Sequence, residues 1–176
     1  YEDASRICLP RRVPLIVRVD GRAFHTLTKG MKKPWDVVIH NAMVEAAAVL
    51  VKEAQGAKFA YTQSDEISVL LTDYDDLNTE AWFGKNLQKI VSGSASCAGL
   101  AFLRGSLSWN LQGIFDARAF ILPKEEVTNY FIWRQRDCER NSISGLAQTH
   151  FSHKSLQGLN TSQLQDKLMT EAGINW

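Results

Sequence analysis

Apolar positions along the chain follow two rhythms. Val13, Leu15, Ile16, Val17 and Val19 make a β-rich run that stops at Asp20-Gly21, which predicts a strand ending in a turn. Over residues 36–55 the spacing turns helical, with Val37, Val38, Met43, Ala47, Leu50, Val51 and Ala54 on the apolar side. Asp36 suits the N-cap there and Gly56 the stop. Two short apolar runs, 58–62 and 67–71, flank Gln63-Ser64-Asp65-Glu66 and predict a β-hairpin. Residues 79–104 read as a long helix whose small residues, 92–99, suit a close-packed face. A strand over 115–122 is closed by Pro123, a helix follows from 124 to about 150, and Thr161 caps a last short helix ending near Gly173. The order β-α-β-β-α-β followed by helices predicts an α+β, ferredoxin-like (split βαβ) antiparallel sheet with helices packed on one face. With no repeat, linker or biased tract, residues 1–176 read as a single domain.

Composition narrows the class. Hydrophobic residues make up 45% and charged ones 22%, with 11 Gly and 4 Pro, which excludes disordered and low-complexity readings. Lys+Arg at 20 against Asp+Glu at 19 leaves +1, so a nucleic-acid partner would have to be held by a local patch. Residues 1–33 supply one, with eight basic side chains against three acidic. Cys8, Cys97 and Cys138 lie far apart, a sparse set that reads as reduced thiols and a cytoplasmic setting. No segment reads as a signal peptide or is long and apolar enough to span a membrane.

The candidate chemistry gathers at two strand ends. Asp20 closes the first strand and Asp65 sits in the hairpin; in a split βαβ sheet the first and third strands are neighbours, so the two carboxylates can meet. With Gly21 letting a backbone carbonyl approach, they would form a hard oxygen site suited to Mg²⁺ and to phosphoryl or nucleotidyl transfer. Asp-Gly and Ser-Asp are equally good turn chemistry, and spacing alone leaves both readings open. The remaining acids of the hairpin's far side, Asp73, Asp75, Asp76 and Glu80, read as a solvated loop. Arg134, Arg136, Arg140 and Lys154 mix with Tyr130, Phe131 and Trp133, a set that would suit an RNA backbone or, alternatively, pairing with Asp137 and Glu139 along a helix. His150 and His153 lack a third zinc ligand nearby, and no P-loop, dinucleotide fingerprint or nucleophile elbow is present.

Five motifs in register carry a resemblance. Arg18-Val19-Asp20-Gly21-Arg22-Ala23-Phe24-His25, Lys33-Pro34, Tyr61-Thr62-Gln63-Ser64-Asp65-Glu66, Phe115-Asp116-Ala117-Arg118 and Trp133-Arg134-Gln135-Arg136-Asp137-Cys138 together resemble the tRNA-His guanylyltransferase family, over nearly the whole chain. The resemblance implies a polymerase-like palm running in reverse, adding nucleotides to the 5′ end of tRNA. It implies that Asp20, the Gly21 carbonyl and Asp65 hold two Mg²⁺ ions, with Asp20 and Asp65 the catalytic carboxylates. Asp20, Gly21, Arg22, Ala23, Phe24, His25, Ser64 and Asp65 would cradle a nucleoside triphosphate, and Lys33 would contact phosphates. ATP, GTP and other nucleoside triphosphates are the implied substrates: ATP adenylylates a 5′-monophosphate end, the 3′-hydroxyl of an incoming nucleotide displaces AMP, and pyrophosphate is then removed. A homotetramer is the implied assembly.

The departures bear on which branch of the family this is. Where the eukaryotic enzymes that add an extra G carry His-Ile-Asn-Asn, this chain has Glu139-Arg140-Asn141-Ser142, replacing an imidazole by a carboxylate. With the stretch from Gln148 to Lys154, that pattern resembles the bacterial-type guanylyltransferase-like proteins, which implies templated repair of 5′-truncated tRNAs, with addition of the extra G to tRNA-His as the alternative. Arg134, Arg140, Asn141 and Lys154 are then candidate contacts for RNA or a second nucleotide. A non-catalytic RNA-binding module would be expected to lose Asp20 or Asp65, and both are present. Residues 105–113 match no pattern of the family.

Overall fold

The computed structural model describes residues 1–176, which divide into two compact units, one of Tyr1–Lys29 with Val37–Asn129 and one of Gly30–Asp36 with Tyr130–Trp176. In the first unit the chain runs β1 (Leu15–Gly21), a one-turn α1 (Phe24–Leu27), α2 (Val37–Glu53), β2 (Ala57–Gln63), β3 (Glu66–Leu71), α3 (Leu87–Gly105) and β4 (Phe115–Ile121). The four strands form one antiparallel sheet in the order β2-β3-β1-β4. Strand β3 lies between β1 and β2, the two strands that α2 connects, so the predicted α+β class and strand order are those observed.

Period two explains which way the strands face. Leu15, Val17 and Val19 of β1 and Ile67, Val69 and Leu71 of β3 are buried in one core with Ala42, Met43, Ala46 and Leu50 of α2 and Ile90, Ala98, Ala101 and Phe102 of α3. The two helices cross closely: a Cβ on Gly105 would stand 2.8 Å from the Ala42 Cα. Small residues at that crossing are the reason the backbones can approach. The alternate strand positions carry Arg18, Asp20, Glu66, Asp116 and Arg118, and these point away from that core.

Two boundaries differ from the sequence expectation. The helix expected from residue 79 begins only at Leu87, with Asn86 as its N-cap accepting from the Lys89 N–H at 3.1 Å. Ahead of it Phe83, Gly84 and Lys85 sit at φ of 49°, 57° and 60°, which no right-handed helix allows. The Lys85 ammonium holds them there. It is 2% exposed and donates to the Pro10 and Val13 carbonyls, both at 2.7 Å, and to Asp73 Oδ1 at 3.2 Å. Asp73 is correspondingly not part of a solvated loop: its side chain is 2% exposed and also accepts from Arg11 Nε at 2.7 Å and from the Arg12 backbone N–H. Burial raises the Asp73 pKa, but the Arg12 N–H and the Arg11 and Lys85 cations outweigh it and hold the carboxyl below its usual value.

The second unit contains most of α4 (Val127–His150), α5 (His153–Leu156) and α6 (Thr161–Ala172), closed over Ile143, Ala147, Leu164 and Leu168. Asn160, not Thr161, caps α6: its side chain accepts from the Gln163 N–H and the Gln163 side chain accepts from the Asn160 N–H. Gly173 ends the helix in the left-handed conformation, as expected. No helix is long and apolar enough to cross a membrane.

Candidate active site

Strand pairing assembles one end of the sheet. The Cα register places Glu66 and Asp116 on either side of Asp20, so three carboxylates from β3, β1 and β4 form a lateral row. One step inward on the same face the row is Ser68, Arg18 and Arg118. Arg18 Nη2 reaches Glu66 Oε2 at 2.5 Å and Asp20 Oδ1 at 3.9 Å, which neutralises Glu66 and leaves Asp20 the less committed acid.

The β2–β3 turn delivers the second carboxylate. Only Ser64, the first of its two residues, has positive φ (50°), the pattern of a type II′ hairpin. The Gly21 N–H then donates to the Asp65 carbonyl at 2.9 Å, tying the end of β1 to the turn. Burial pushes the Asp65 pKa up; the Ser64 hydroxyl hydrogen-bonds the carboxylate and lowers it, while the charge of Asp20 adds to the rise. The charge of Asp20 is thus felt at Asp65, across the Gly21–Asp65 backbone bond that joins the two segments. Gly21 has no freedom to be anything else: a Cβ would lie 2.4 Å from the Phe24 ring and 2.9 Å from the Asp65 Cβ.

The segment after Gly21 is braced from below. The Arg22 N–H donates to the Ile114 carbonyl at 2.8 Å, and Ala23 takes a left-handed turn (φ 56°) into α1. The Phe24 ring is buried against Phe102 and Phe115, with both centroids at 5.2 Å. Phe24 is thus an anchor, and only its backbone is available to a ligand. Arg22, Ala23 and His25 are exposed beside it, His25 with a ring nitrogen 3.1 Å from the Thr26 hydroxyl.

Asp20, Gly21, Ser64 and Asp65 are brought together as the sequence suggested; the others are distributed differently. Lys33, Arg134, Arg140, Asn141 and Lys154 all belong to the second unit. There Asp137 collects Arg134 at 3.5 Å, Arg140 and the Asn141 amide at 3.4 Å, and Arg134 is buried with its guanidinium 3.4 Å over the Trp133 ring. The helix-pairing alternative is what this face shows, whereas Lys33 and Lys154 are exposed. No group of three or more His, Cys, Asp or Glu side chains forms a metal cage. Two carboxylates and a neutral backbone carbonyl, all hard oxygen donors, nevertheless suit a divalent cation that shares its remaining positions with phosphate. What spacing missed is the charged row itself: Arg18, Glu66, Asp116 and Arg118 alternate with apolar residues on three strands, a period-two signal visible before pairing was known.

Paired carboxylates at the open end of a sheet, beside an exposed backbone segment, are the equipment of an enzyme of phosphate chemistry. The comparisons make the class definite. The family described as Thg1, tRNAHis guanylyltransferase, matches residues 1–123. A tRNA(His) guanylyltransferase of Debaryomyces hansenii is 31% identical over 186 residues, spanning 92% of this chain and 67% of that protein. A bacterial tRNA(HIS) guanylyltransferase (Thg1)-like protein solved in complex with ATP is 53% identical, superposes with a TM-score of 0.98, and is matched over 100% of this chain and 78% of that one. A second such bacterial protein, in complex with GTP, is 48% identical with a TM-score of 0.88 over 99% and 75% of the two chains. The chain belongs to the tRNAHis guanylyltransferase family and is a nucleotidyltransferase.

Proposed function

We propose that this protein adds nucleotides in the 3′–5′ direction to the 5′ end of tRNA, and that its task is templated repair of 5′-truncated tRNAs. The observation that carries the reaction is the Gly21–Asp65 backbone bond of 2.9 Å, which brings the strand end that carries Asp20 to the turn that carries Asp65. The repair reading is supported by Glu139-Arg140-Asn141-Ser142 and by the likeness to the bacterial proteins at 53% and 48% identity. Addition of a single G to tRNA-His is the second reading, favoured by the Debaryomyces relative that bears that name.

In this proposal the sheet serves as a palm. Asp20, Asp65 and the Gly21 carbonyl would hold Mg²⁺, which when bound supplies Lewis acidity and charge neutralisation at the phosphate being transferred. The chain's own residues do the rest. The backbone of residues 20–25 receives the nucleoside triphosphate, pinned in place by Phe24. Arg18 keeps Glu66 neutralised, so that this carboxylate does not add to the negative charge of Asp20 and Asp65. ATP activates a 5′-monophosphate as its adenylate with release of pyrophosphate, and the 3′-hydroxyl of the incoming nucleotide displaces AMP.

The test is a 5′-end length assay with Mg²⁺, ATP and all four nucleotides, on a 5′-monophosphorylated tRNA lacking its first nucleotide and on intact tRNA-His. Extension of the truncated tRNA to the paired length, with little change in tRNA-His, is the expected result. One G added to tRNA-His whatever the opposing base makes the second reading correct. Binding of tRNA without addition to either removes both.

A further inference from the structure

The loop that joins α3 to β4, residues 106–114, has no part in the function proposed so far, yet it stands at the Asp20 end of the sheet. The Ile114 carbonyl accepts from the Arg22 N–H at 2.8 Å, and Phe115, the next residue, is the register partner of Gly21. A Cβ on Gly113 would lie 2.8 Å from the Phe102 ring and 3.0 Å from the Phe24 ring. The loop thus shares the aromatic cluster that anchors residues 20–25. It is tied down at both ends. The buried Ser106 hydroxyl lies 2.8 Å from the Phe102 carbonyl and 3.3 Å from the Leu111 carbonyl, and Leu111 packs against the core. Between these ties a single 3-10 turn, Leu107–Trp109, closes with Asn110 in the left-handed conformation (φ 50°). On this fixed frame the large apolar side chains point outward: Leu107, Trp109 and Ile114 are 68%, 57% and 62% exposed. Apolar groups held in water beside a functional site mark a surface that a partner covers.

Three side chains on one loop fall far short of the roughly 20–30 residues a side of a standard protein interface. The loop carries no acidic residue, and Arg104 in the last turn of α3 is exposed just ahead of it, a charge that suits a polyanion. Resting on the tRNA reading above, we propose that Trp109 is a stacking platform for the nucleobase at the 5′ end of the RNA, with Arg104 drawing in the adjacent backbone. An indole offers a flat face to any base, and such stacking is tolerant of sequence because every base has a π-face. That property serves an enzyme that receives RNA ends of differing sequence, while Asp20 and Asp65 act on the phosphate of the same terminal nucleotide.

Equilibrium binding tests this without requiring turnover. Wild type, Trp109→Ala and Trp109→Phe are titrated with a 5′-monophosphorylated tRNA lacking its first nucleotide, and with the same RNA made abasic at its 5′-terminal position. Wild type binds the intact RNA about tenfold more tightly than the abasic one, as expected for one base stacked on an aromatic ring. Trp109→Ala binds the intact RNA about tenfold more weakly and no longer distinguishes the two, whereas Trp109→Phe recovers most of the difference. No charge is removed, so the slope of log K against log salt stays that of wild type, and the melting temperature does not move. Equal affinity of wild type for the two RNAs overturns the proposal. So do losses that add when variant and abasic RNA are combined, or Trp109→Phe binding no better than Trp109→Ala. A smaller assembly for Trp109→Ala in sedimentation overturns it as well, by placing the loop between copies of this chain. Nucleotide addition by wild type, run in parallel, separates the two readings: addition without discrimination between the RNAs fails this one alone, and discrimination without addition fails only the function it rests on.

Discussion

Asp65 is harder to ionise than an ordinary carboxyl, first because it is buried and then because Asp20 stands near. A carboxyl whose pKa is raised on folding costs stability as the pH climbs from the unfolded value through the folded one, and the cost is complete above it. Asp65→Asn is therefore expected to melt higher than wild type at neutral pH, by about 1–4 °C, with the gap closing toward pH 4 and below. The same variant loses nucleotide addition. Millimolar Mg²⁺ raises the melting temperature of wild type and not of Asp65→Asn; an equal rise in both would remove the cation from this site. Gly21→Ala goes the other way. Its methyl meets the Phe24 ring and the Asp65 Cβ, so it loses roughly 1–3 kcal/mol in denaturant unfolding along with activity. Both carboxylates were legible in the sequence because Asp20 closes an apolar run and Asp65 lies in the polar turn between two others. The charged alternation around them was equally present but meant nothing until pairing placed Arg118 opposite Arg18.

Elements were read correctly where periodicity alone set them. The β-hairpin, β4 and α4 follow their apolar spacing to within a few residues. The start of α3 does not, because its determinant lies far off in sequence: Lys85 is drawn into the protein by carbonyls of Pro10 and Val13 and by Asp73. No local pattern announces that a lysine will be buried and an acidic loop will follow it in. The cost of disturbing the pair is correspondingly large. Asp73→Asn leaves the buried ammonium without its counter-charge and is expected to lose about 3–5 kcal/mol, read from urea unfolding. Since Asp73 is held below the usual carboxylate value, its contribution is present above that value and disappears as the pH falls through its folded pKa. Wild type should lose this stability under acid conditions, and Asp73→Asn should show a flatter acid limb.

At the scale of the whole molecule, +1 of net charge gives tRNA no general field to follow, so affinity depends on which basic groups remain available. The basic excess of residues 1–33 looked like one patch in the sequence, yet it is divided in the structure. Arg11 is bonded to Asp73 and the Thr79 carbonyl and Arg12 to the Leu77 carbonyl, so these cations serve the fold, whereas Arg6 only pairs with exposed Asp3. Lys29 and Lys33 are exposed. The division predicts opposite behaviour from two chemically similar sets of substitutions. Arg11→Ala should lower the melting temperature while leaving tRNA affinity and its dependence on salt as in wild type. Lys33→Ala should leave the melting temperature alone, weaken tRNA binding, and reduce the slope of log K against log salt by about 0.7–0.9, the signature of one fewer phosphate neutralised. If Arg11→Ala instead flattened the salt dependence with no change in stability, the front of the chain would be an RNA surface as a whole, and the ion pairs to Asp73 would be incidental to the fold.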